Sequence, residues 1–513
     1  CELANKTSMP MDANTADTIK LTGTVKGRRI RRTLRAALIV VCSAGVLAAG
    51  LTVGLYFGLR DKTTPLRLVI LTDWHSNPYY QANLSKHCRC MTLDPHAGSC
   101  MLSTPASGYG QYGCDSPIAL VRSSLEAAAA VVPEPDLVLV LGDLTMHSSP
   151  SAAITRSIFR ATSEAIVDAF PSRPRACRTP LGNNDVYPNY ATNVSDSTFY
   201  ASQAAVASDL CGLDTQNAAL FERTGYYSVD LPSPTGSSSV AQFLILNTNV
   251  YSANNAGTMH EPDPLGQFAW LEVQLAAARN RSARVHITSH IPPVIDSFAR
   301  HALWQPQYAE RYWAVIGAYA DAVGLQLFGH THSQEIRATR AGVADDTPVL
   351  QVASSVSPIY DNNPVFYTLE MAWEADGDGR WGWLMGMADG GVTRVNSFSA
   401  HVLNLSSVGT NLTGAPPFEV LEPPWPEPLV RNSDARKLLN GFFTAPDDDP
   451  TFWAFFNMYK GGHHGEGRAC TEIGAAFHNC ATCTHGCRVD FTCIQLDGLT
   501  VADHQRCLAE HSV

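Results

Sequence analysis

The sequence has few basic residues, and it has no internal repeat or extended low-complexity tract. Its 513 residues carry 36 Lys and Arg against 47 Asp and Glu, which gives a formal net charge of −11. A nucleic-acid-binding surface needs a basic face, so this charge balance argues against one. Small polyanions stay open as ligands, because bound metal ions can supply local positive charge. A chain of this length predicts more than one domain.

Charged residues are missing from one long stretch near the N-terminus. Residues 36–59 are 24 residues without Asp, Glu, Lys or Arg, which is long enough for a helix to cross a bilayer. Six Lys and Arg residues lie between positions 26 and 35, against three between positions 60 and 67. The positive-inside rule therefore predicts a basic cytosolic tail over residues 1–35, followed by a transmembrane signal anchor. In this type II topology, the rest of the chain lies in a vacuole- or lysosome-like lumen or outside the cell.

A cleaved signal peptide and a buried core helix are the alternatives to this anchor. The apolar stretch is long for a signal peptide and follows a long polar tail, which favours the anchor. The sequence begins at Cys1 rather than Met, so we expect either a fragment or a start at Met9 or Met11.

The tail and the anchor contain only two of the 14 cysteines, Cys1 and Cys42. The other 12 are an even number, which suits disulfides outside the cytosol. Zinc binding or redox chemistry at Cys480 and Cys483 is the alternative. We expect pairing within three groups, with the connectivity open: Cys88, Cys90, Cys100 and Cys114; Cys177 and Cys211; Cys470, Cys480, Cys483, Cys487, Cys493 and Cys507. Potential N-glycosylation sites beyond the anchor are Asn83, Asn193, Asn280, Asn404 and Asn411.

Strand-like and helix-like segments alternate through the middle of the chain. Short apolar runs bounded by Gly and polar residues fit buried parallel strands. These runs cover residues 66–71, 137–141, 242–246, 285–287 and 325–328. Helical patterns cover residues 117–132, 151–170 and 266–281. Such alternation predicts an α/β sandwich flanked by helices. We read residues 416–428 as a proline-rich linker, and residues 430–513 as an α-helical, Cys-rich C-terminal domain.

Five short polar motifs follow, and most of them stand where one of these runs ends in a loop. In chain order they are Asp73-Trp74-His75, Gly142-Asp143, Gly182-Asn183-Asn184-Asp185, Ser289-His290 and Gly329-His330-Thr331-His332. Each motif alone is more often a loop or a turn than a metal site. Together they supply two carboxylates, one amide and four imidazoles, and the carboxyl ends of strands are the usual place for ligands in layered α/β folds. The ordered set therefore predicts a site for two divalent metal ions.

The spacing within two of the motifs suggests how the ligands converge. Asp73 and His75 are two residues apart, as are His330 and His332, and the side chains of an extended strand alternate with period 2. We therefore expect each pair to point to one side. His286 shares a face with the histidine of the fourth motif but would lie about 13 Å further back, so we expect it to have a core role.

These motifs resemble the calcineurin-like metallophosphoesterase superfamily, and within it the acid sphingomyelinase-like phosphodiesterases and the related endopolyphosphatases. The resemblance covers about residues 66 to 375 and implies a metallophosphoesterase domain over residues 66–400. Further stretches that carry it are residues 77–80, 112–117, 247–251, 263–272 and 354–364.

The resemblance also implies a role for each ligand. The first metal is assigned to Asp73, His75 and His332, and the second metal to Asn183, His290 and His330. Asp143 would bridge the two. Zinc is the metal that this branch uses, while manganese and iron remain alternatives because Asp, Asn and His serve all three.

In such a site, a hydroxide activated by the metals attacks phosphorus in line, and the leaving group needs a proton. The family places a histidine beside the amide ligand for this purpose, but this sequence has Asn184 there. His147, four residues after Asp143, matches a second histidine of the family near the scissile bond. The resemblance therefore implies that His147 is the general acid or a phosphate ligand, with a solvated loop histidine as the alternative. Asn184 in the catalytic region favours an acidic leaving group, as in a phosphoanhydride.

Three functions remain open from the sequence. The first is a membrane-anchored phosphoesterase of the acid sphingomyelinase-like type, acting on a phosphorylated small molecule or lipid. The second is an endopolyphosphatase of an acidic, vacuole-like compartment. The third is a weakly catalytic surface glycoprotein that binds phosphorylated ligands. We expect the pocket walls to come from the loops around Asn249, His260 and Tyr360.

Overall fold

The computed structural model describes most of the chain beyond the predicted anchor. The described residues are 65–172, 177–232, 240–281, 283–338, 347–375, 381–383, 391–409, 416–421, 431–459, 461–462, 468–477 and 480–511. The predicted tail (residues 1–35), the predicted anchor (residues 36–59) and the potential glycosylation site Asn411 lie outside them. Within the described ranges, no helix is both long and apolar enough to cross a membrane.

Fifteen strands are found in the described part. They are β1 (Leu66–Leu71), β2 (Leu137–Val140), β3 (Cys177–Arg178), β4 (Tyr227–Pro232), β5 (Val240–Ile245), β6 (Val285–Thr288), β7 (Val323–Phe328), β8 (Glu335–Arg337), β9 (Leu350–Val352), β10 (Val365–Ala375), β11 (Trp381–Trp383), β12 (Gly391–Val402), β13 (Glu419–Leu421), β14 (Arg468–Cys470) and β15 (Cys480–Cys483). All five apolar runs of the sequence form strands, so that prediction is confirmed.

The first thirteen strands form two mixed sheets. The first sheet has the order β13-β12-β11-β10-β1-β2-β3, with β1, β2 and β3 parallel and β10 antiparallel to β1. The second sheet has the order β4-β5-β6-β7-β9-β8, with β5, β6, β7 and β9 parallel. Antiparallel strands lie at both edges of the second sheet. Parallel strands in both sheets bring several carboxyl ends to the same edge of the fold.

Ten α-helices accompany the strands in the described ranges. They are α1 (Ile118–Val131), α2 (Ala152–Ala169), α3 (Ala201–Asp209), α4 (Thr215–Thr224), α5 (Gln267–Asn280), α6 (Pro306–Ala318), α7 (Asn432–Thr444), α8 (Pro450–Tyr459), α9 (His485–Asp497) and α10 (Val501–His511). The three helices expected between the strands are confirmed as α1, α2 and α5. Ser151 caps α2, because its hydroxyl accepts a hydrogen bond from the Ile154 amide.

Alternating side chains of the second sheet pack on both of its faces. Phe243 and Leu327 join the main core, which also contains the apolar residues of β1 and all of β2. Their neighbours Leu244 and Phe328 point the other way, into a second core with α5 and α6. A strand that is buried on both faces is largely apolar, and such strands therefore appear in the sequence as short apolar runs. The predicted α/β sandwich with flanking helices is confirmed.

The C-terminal region, residues 431–511, packs against one end of the second sheet. Ile336 of β8 and Val349 share a core with the helices α7, α8 and α9. The buried Arg337 guanidinium donates to the Ile494 carbonyl and pairs with Glu335. Four helices and the short β14–β15 pair make up this region, so the predicted helical, Cys-rich character is confirmed.

All 12 cysteines beyond the predicted anchor form disulfides within their expected groups. The pairs are Cys88–Cys100, Cys90–Cys114, Cys177–Cys211, Cys470–Cys480, Cys483–Cys487 and Cys493–Cys507. Cys480 and Cys483 bond to different partners, which argues against a shared zinc or redox role. The three C-terminal disulfides close within their own region, so noncovalent packing holds that region to the sheets.

One prediction about the linker is wrong in part. Within the supposed linker, Glu419–Leu421 forms the edge strand β13, which pairs with β12. The proline-rich composition suggested an unpaired segment, but Pro is tolerated around an edge strand because one side of such a strand needs no donors.

Candidate metal centre

The five polar motifs meet where parallel strands of both sheets end. The loops after β1 and β2 remain hydrogen-bonded to each other, with the Asp73 amide donating to the Gly142 carbonyl at 3.0 Å. The ring of His290, which follows β6 in the second sheet, donates through Nδ1 to the Leu141 carbonyl of the first sheet at 2.8 Å. The motifs thus join the two sheets at one edge.

Two glycines allow this close approach. A Cβ on Gly182 would collide with the carboxylate and backbone nitrogen of Asp143. A Cβ on Gly329 would collide with the hydroxyl of Thr72 and approach the Asp73 carboxylate. Only glycine brings the third and fifth motifs this close to the two aspartates.

The side chains predicted to hold the first metal lie together. His75 Nε2 is 3.0 Å from His332 Nε2, and His332 Nε2 is 3.3 Å from Asp73 Oδ1. His75 Nε2 is 3.7 Å from the same Asp73 oxygen. All three side chains are buried, so they form a compact set of nitrogen and oxygen donors.

The side chains predicted to hold the second metal lie beside the first set. His290 Nε2 is 3.1 Å from Asn183 Oδ1 and 3.3 Å from His330 Nδ1. Asp143 Oδ2 lies 3.2 Å from His290 Nε2 and 3.5 Å from His75 Nε2. Asp143 therefore contacts both sets, as a bridging carboxylate would.

The paired ligands converge as predicted, but the expected alternation of an extended strand is not the cause. Asp73, His75, His330 and His332 have φ angles of 50°, 44°, 76° and 57°. These residues are in the left-handed region, so the pairs converge through sharp turns and not through the alternation of an extended strand. Asp143 has φ 53° as well. Left-handed backbone in a residue with a side chain is strained, and strain of this kind concentrates at functional sites.

The donor set suits cations on electrostatic grounds. Asp73 Oδ1 is buried and accepts no hydrogen bond from the described residues, although three imidazole Nε2 atoms lie within 3.9 Å. Burial opposes ionisation of Asp73, but the charges of His332 and His290 hold its pKa well below its usual range. This buried carboxylate oxygen has no hydrogen-bond donor among the described residues, and a divalent metal would supply the missing partner.

The two central histidines point to the same conclusion. Burial disfavours their protonation, yet the nearby carboxylates of Asp73 and Asp143 raise the pKa of His75 to about 9. The charges of Asp143 and Asp73 likewise outweigh burial and raise the pKa of His290 to about 9. The carboxylates thus favour positive charge at this point. We conclude that the seven residues fit two divalent metal ions.

Backbone carbonyls orient two of these rings. His75 Nδ1 donates to the Thr145 carbonyl at 3.2 Å, just as His290 Nδ1 donates to Leu141. A ring whose Nδ1 proton is held by a carbonyl has Nε2 as the nitrogen that can bind a metal in place of a proton. Both rings therefore present Nε2 to the cluster.

Asp185 is a central residue that the sequence reading did not single out. Its buried carboxylate accepts hydrogen bonds from the amides of Asp143, Thr145 and Gly182 at 2.9 to 3.1 Å. Burial and the charge of Asp143 raise the pKa of Asp185 to about 6. The aspartate that ends Gly-Asn-Asn-Asp read as a turn residue, but it ties the second motif to the third.

Asn184 does not line an open part of the site. It is 3% exposed, and both its backbone amide and its side-chain amide donate to Asp143 at 2.7 Å. Its observed contacts hold the bridging carboxylate in place. An amide in this position also supplies no proton to a leaving group.

His147 has a carboxylate partner that the sequence reading missed. Its Nδ1 lies 2.7 Å from Asp115 Oδ1, and its backbone amide donates to the other oxygen of the same carboxylate. The ring of His147 stacks on His75 at 3.8 Å between centroids and is 25% exposed. His147 therefore belongs to the cluster and is not a solvated loop histidine. Asp115 was visible only as part of a stretch that carried the family resemblance.

A cavity of about 250 Å³ adjoins the cluster. His330 and His332 are part of its lining. Its other lining residues are Tyr190, Asn254, Asp296, Ser297, Phe298, His301, Leu303, Thr331, Ser333, Tyr360, Asn362 and Tyr459. Among the described residues, its lining contains no Lys or Arg and one carboxylate, that of Asp296.

Two of the segments expected to form the pocket walls reach the cavity, one through Tyr360 and the other through Asn254, which lies between Asn249 and His260. Tyr360 lines the cavity as predicted. Asn249 is buried away from it and donates to the Gly182 carbonyl at 2.9 Å, and His260 is exposed outside it. His286 has the expected core role, because it is buried against Phe243 and its Nδ1 accepts from the Leu325 amide.

Replacement of Asp143 tests whether one carboxylate serves both sets of donors. We expect Asp143→Asn to lower the metal content of the purified chain from two ions to fewer than one, because the neutral amide weakens both sites at once. Metal analysis by mass spectrometry after dialysis measures this. The matched control is Asp168→Asn, at an exposed position near the end of α2, which should keep both ions. Two tightly bound ions in Asp143→Asn would contradict a bridging role.

Comparison with known proteins agrees with this geometry. The calcineurin-like phosphoesterase family matches residues 66–334. The sphingomyelinase phosphodiesterase D of Dictyostelium discoideum is 31% identical over 275 residues, which are 52% of this chain and 59% of that protein. The human acid sphingomyelinase-like phosphodiesterase 3b is 31% identical over 282 residues, which are 54% of this chain and 59% of that protein.

More distant relatives and solved structures extend the comparison. The human cyclic GMP-AMP phosphodiesterase SMPDL3A is 25% identical over 296 residues, which are 56% of this chain and 62% of that protein. The chain thus spans about three fifths of the length of these three relatives. A dimetal phosphatase from Danio rerio superposes with a TM-score of 0.36 at 13% identity, over 65% of this chain and all of that one. This structural likeness is too low to carry an argument.

The predicted resemblance is confirmed by the sequence comparisons. The family match extends over just over half of the chain and contains all seven expected metal ligands. The chain belongs to the calcineurin-like phosphoesterase family.

Proposed function

We propose that this protein is a metal-dependent phosphodiesterase that cleaves phosphodiesters bearing an organic group next to the phosphate. The observation that carries this proposal is the cavity beside His330 and His332. The two sets of predicted metal ligands, which share Asp143, would hold the phosphate beside these two histidines. The cavity would hold a substituent of that phosphate. Zinc is the proposed metal for this set of Asp, Asn and His donors.

The walls of the cavity are better suited to an uncharged or cationic group than to further phosphates. Tyr190, Phe298, Tyr360 and Tyr459 supply aromatic surface, and Asp296 supplies a negative charge. Aromatic rings attract cations and stack on flat groups. A polyphosphate chain would bring repeated negative charge to a wall that contains a carboxylate and, among the described lining residues, neither Lys nor Arg. The cavity therefore favours an ester of the kind that sphingomyelinases or cyclic dinucleotide phosphodiesterases cleave.

The metals, when bound, would activate water for attack and neutralise charge on the phosphoryl oxygens. The protein's own contribution to the leaving-group step is the pair of His147 and Asp115. Because Nδ1 of His147 bonds to Asp115, Nε2 is the nitrogen left to protonate a leaving oxygen. Burial opposes ionisation of Asp115, but the charge and hydrogen bond of His147 hold its pKa below the usual value.

An endopolyphosphatase is the second candidate, and Asn184 is the observation that favours it. A phosphoanhydride leaving group is already acidic, so it tolerates the loss of a histidine beside the amide ligand. His147 offers an alternative acid for a phosphodiester, however, and the described lining of the cavity contains no Lys or Arg to bind a polyanion. We therefore place the phosphodiesterase first.

We also propose that the protein works outside the cytosol. Six disulfides in the described part support this, because disulfides persist mainly in oxidising compartments. The potential glycosylation sites Asn193, Asn280 and Asn404 are exposed, and Asn83 is half-buried. The type II anchor over residues 36–59 stays a prediction from the sequence.

A substrate panel tests the proposed activity. Purified protein would be assayed at pH 5 and pH 7 with sphingomyelin, a cyclic dinucleotide, methyl p-nitrophenyl phosphate and long-chain polyphosphate, each with and without a chelator. We expect chelator-sensitive cleavage of at least one of the two natural phosphodiesters and of the nitrophenyl ester, with polyphosphate cleaved slowly or not at all. Cleavage of polyphosphate alone would favour the endopolyphosphatase. Two bound metals without hydrolysis of any compound would favour a phospholigand-binding protein.

The leaving-group step gives a separate prediction. Asp115→Asn should lower kcat by on the order of 100-fold on the natural phosphodiester, whose alkoxide leaving group needs a proton. On methyl p-nitrophenyl phosphate the loss should be under about threefold, because nitrophenolate leaves without one. His147→Gln should show the same pattern, and the double variant should lose no more than either single one. Equal losses on both substrates would contradict the assignment of His147 and Asp115.

A further inference from the structure

One wall of the cavity is a small loop that follows the fourth ligand motif. Ile295 and Ala302 pair across its base, and Asp296, Ser297 and Phe298 line the cavity from its tip. The loop contains none of the seven metal-binding residues. Its position therefore affects the shape of the cavity without being part of the donor set.

Arg300 attaches the tip of this loop to the C-terminal region. The residue has a left-handed backbone (φ 55°), and its guanidinium donates to the Phe298 carbonyl of the same loop at 2.6 Å. It donates to the Ala475 carbonyl at 2.8 Å and to Asp490 Oδ2 at 2.9 Å, and it lies 4.4 Å from the centre of the Phe477 ring. A guanidinium with this many partners is held in one orientation.

Asp490 is itself fixed from the other side. It is fully buried on α9 and accepts from His504 on α10 at 2.7 Å and from the Gly474 amide at 2.6 Å. Although burial opposes ionisation, the bond from His504 and the charge of Arg300 keep the pKa of Asp490 below its usual value. The Cys493–Cys507 disulfide joins the same two helices. Removal of one partner from a buried charge pair is costly, so this arrangement is rigid.

Other bonds connect the loop to the same region. The Ile295 amide donates to the Gly498 carbonyl at 2.9 Å, and Arg337 donates to the Ile295 carbonyl at 3.1 Å. The Ser297 hydroxyl lies 2.9 Å from the Tyr459 hydroxyl, and Tyr459 lines the cavity too. The base of the loop thus has several attachments, whereas Arg300 is the charged attachment of its tip.

We propose that Asp490 is a positioning residue for substrate binding, which holds the cavity wall at residues 295–301 through Arg300. The C-terminal region would then set how well a substituent of the phosphate fits, while the chemical step is left to the residues around Asp143. The inference rests on the proposed phosphodiesterase function. It predicts that loss of the Asp490 charge acts on KM and not on kcat.

The test compares Asp490→Asn with Asp321→Asn, a matched variant in the exposed ion pair with Arg279. KM and kcat would be measured for methyl p-nitrophenyl phosphate and for the larger phosphodiester of the panel that the wild-type protein cleaves fastest. For Asp490→Asn we expect KM of the larger ester to rise about tenfold and kcat to change by less than about twofold. KM of the small ester should stay within about twofold, because its methyl group does not fill the cavity. Asp321→Asn should match the wild type throughout.

Hydrogen exchange gives a readout that does not depend on activity. In the wild-type protein the Arg300 amide donates to the Asp296 carbonyl, and the Asp296 amide donates to the His301 carbonyl. Asp490→Asn should raise exchange of these amides by about tenfold and leave β6 unchanged. If Asp490→Asn fails to fold, Arg300→Met replaces it, because that variant leaves Asp490 bonded to His504 and Gly474.

Unchanged KM together with unchanged exchange in the loop would overturn the inference. A fall in kcat on both esters, with faster exchange in β6 as well, would also overturn it, since that result describes general loss of structure. If the wild-type protein cleaves no phosphodiester, the proposed function fails, and the exchange measurement alone then decides whether Asp490 holds the loop.

Discussion

The contacts of the Asp143 carboxylate are the interaction on which the rest of the site depends. This side chain lies between the two sets of donors, within 3.5 Å of His75 from the first sheet and 3.2 Å of His290 from the second. Burial opposes its ionisation, but the charge and hydrogen bond of His290, with the charge of His75, keep its pKa below the usual range. Asn184 and Asp185 fix it through hydrogen bonds to its oxygens and its backbone. The edge where the sheets meet is thus organised around one negative charge.

This arrangement carries a cost in backbone conformation. Five of the seven predicted metal ligands have left-handed φ angles, and each such residue costs on the order of 1 kcal/mol. The surrounding structure offsets that cost through the hydrogen bonds of Asp185 and through glycines that let the loops touch. Bound cations would add to this, because they favour the conformation that gathers the ligands. The left-handed residues of the site lie in the loops, while the strands that precede these loops have extended backbone and are mostly buried.

The sequence predicts the scaffold and the donors better than the walls around them. Parallel strands that are buried on both faces appear in the sequence as continuous apolar runs, and most of the predicted ligands follow shortly after such a run. The strands and the ligands could therefore be predicted together. Asp185 read as a turn residue because its role depends on amides 40 and 42 residues away. Single wall residues such as Tyr360 could be predicted, but the cavity as a whole could not, because its walls join residues that are distant in the chain. Ser297, for example, contacts Tyr459, which lies 162 positions away. Periodicity and short motifs report local structure, and contacts of that length follow only from the fold.

The most direct test of a shared two-metal centre is a metal titration. Metal would be removed from the purified protein with a chelator and zinc returned stepwise, while bound zinc and hydrolysis of methyl p-nitrophenyl phosphate are followed together. If Asp143 joins two metal sites into one working centre, hydrolysis should stay near zero through the first equivalent and reach its plateau at the second. Full hydrolysis without metal, or a plateau at one equivalent, would contradict the account.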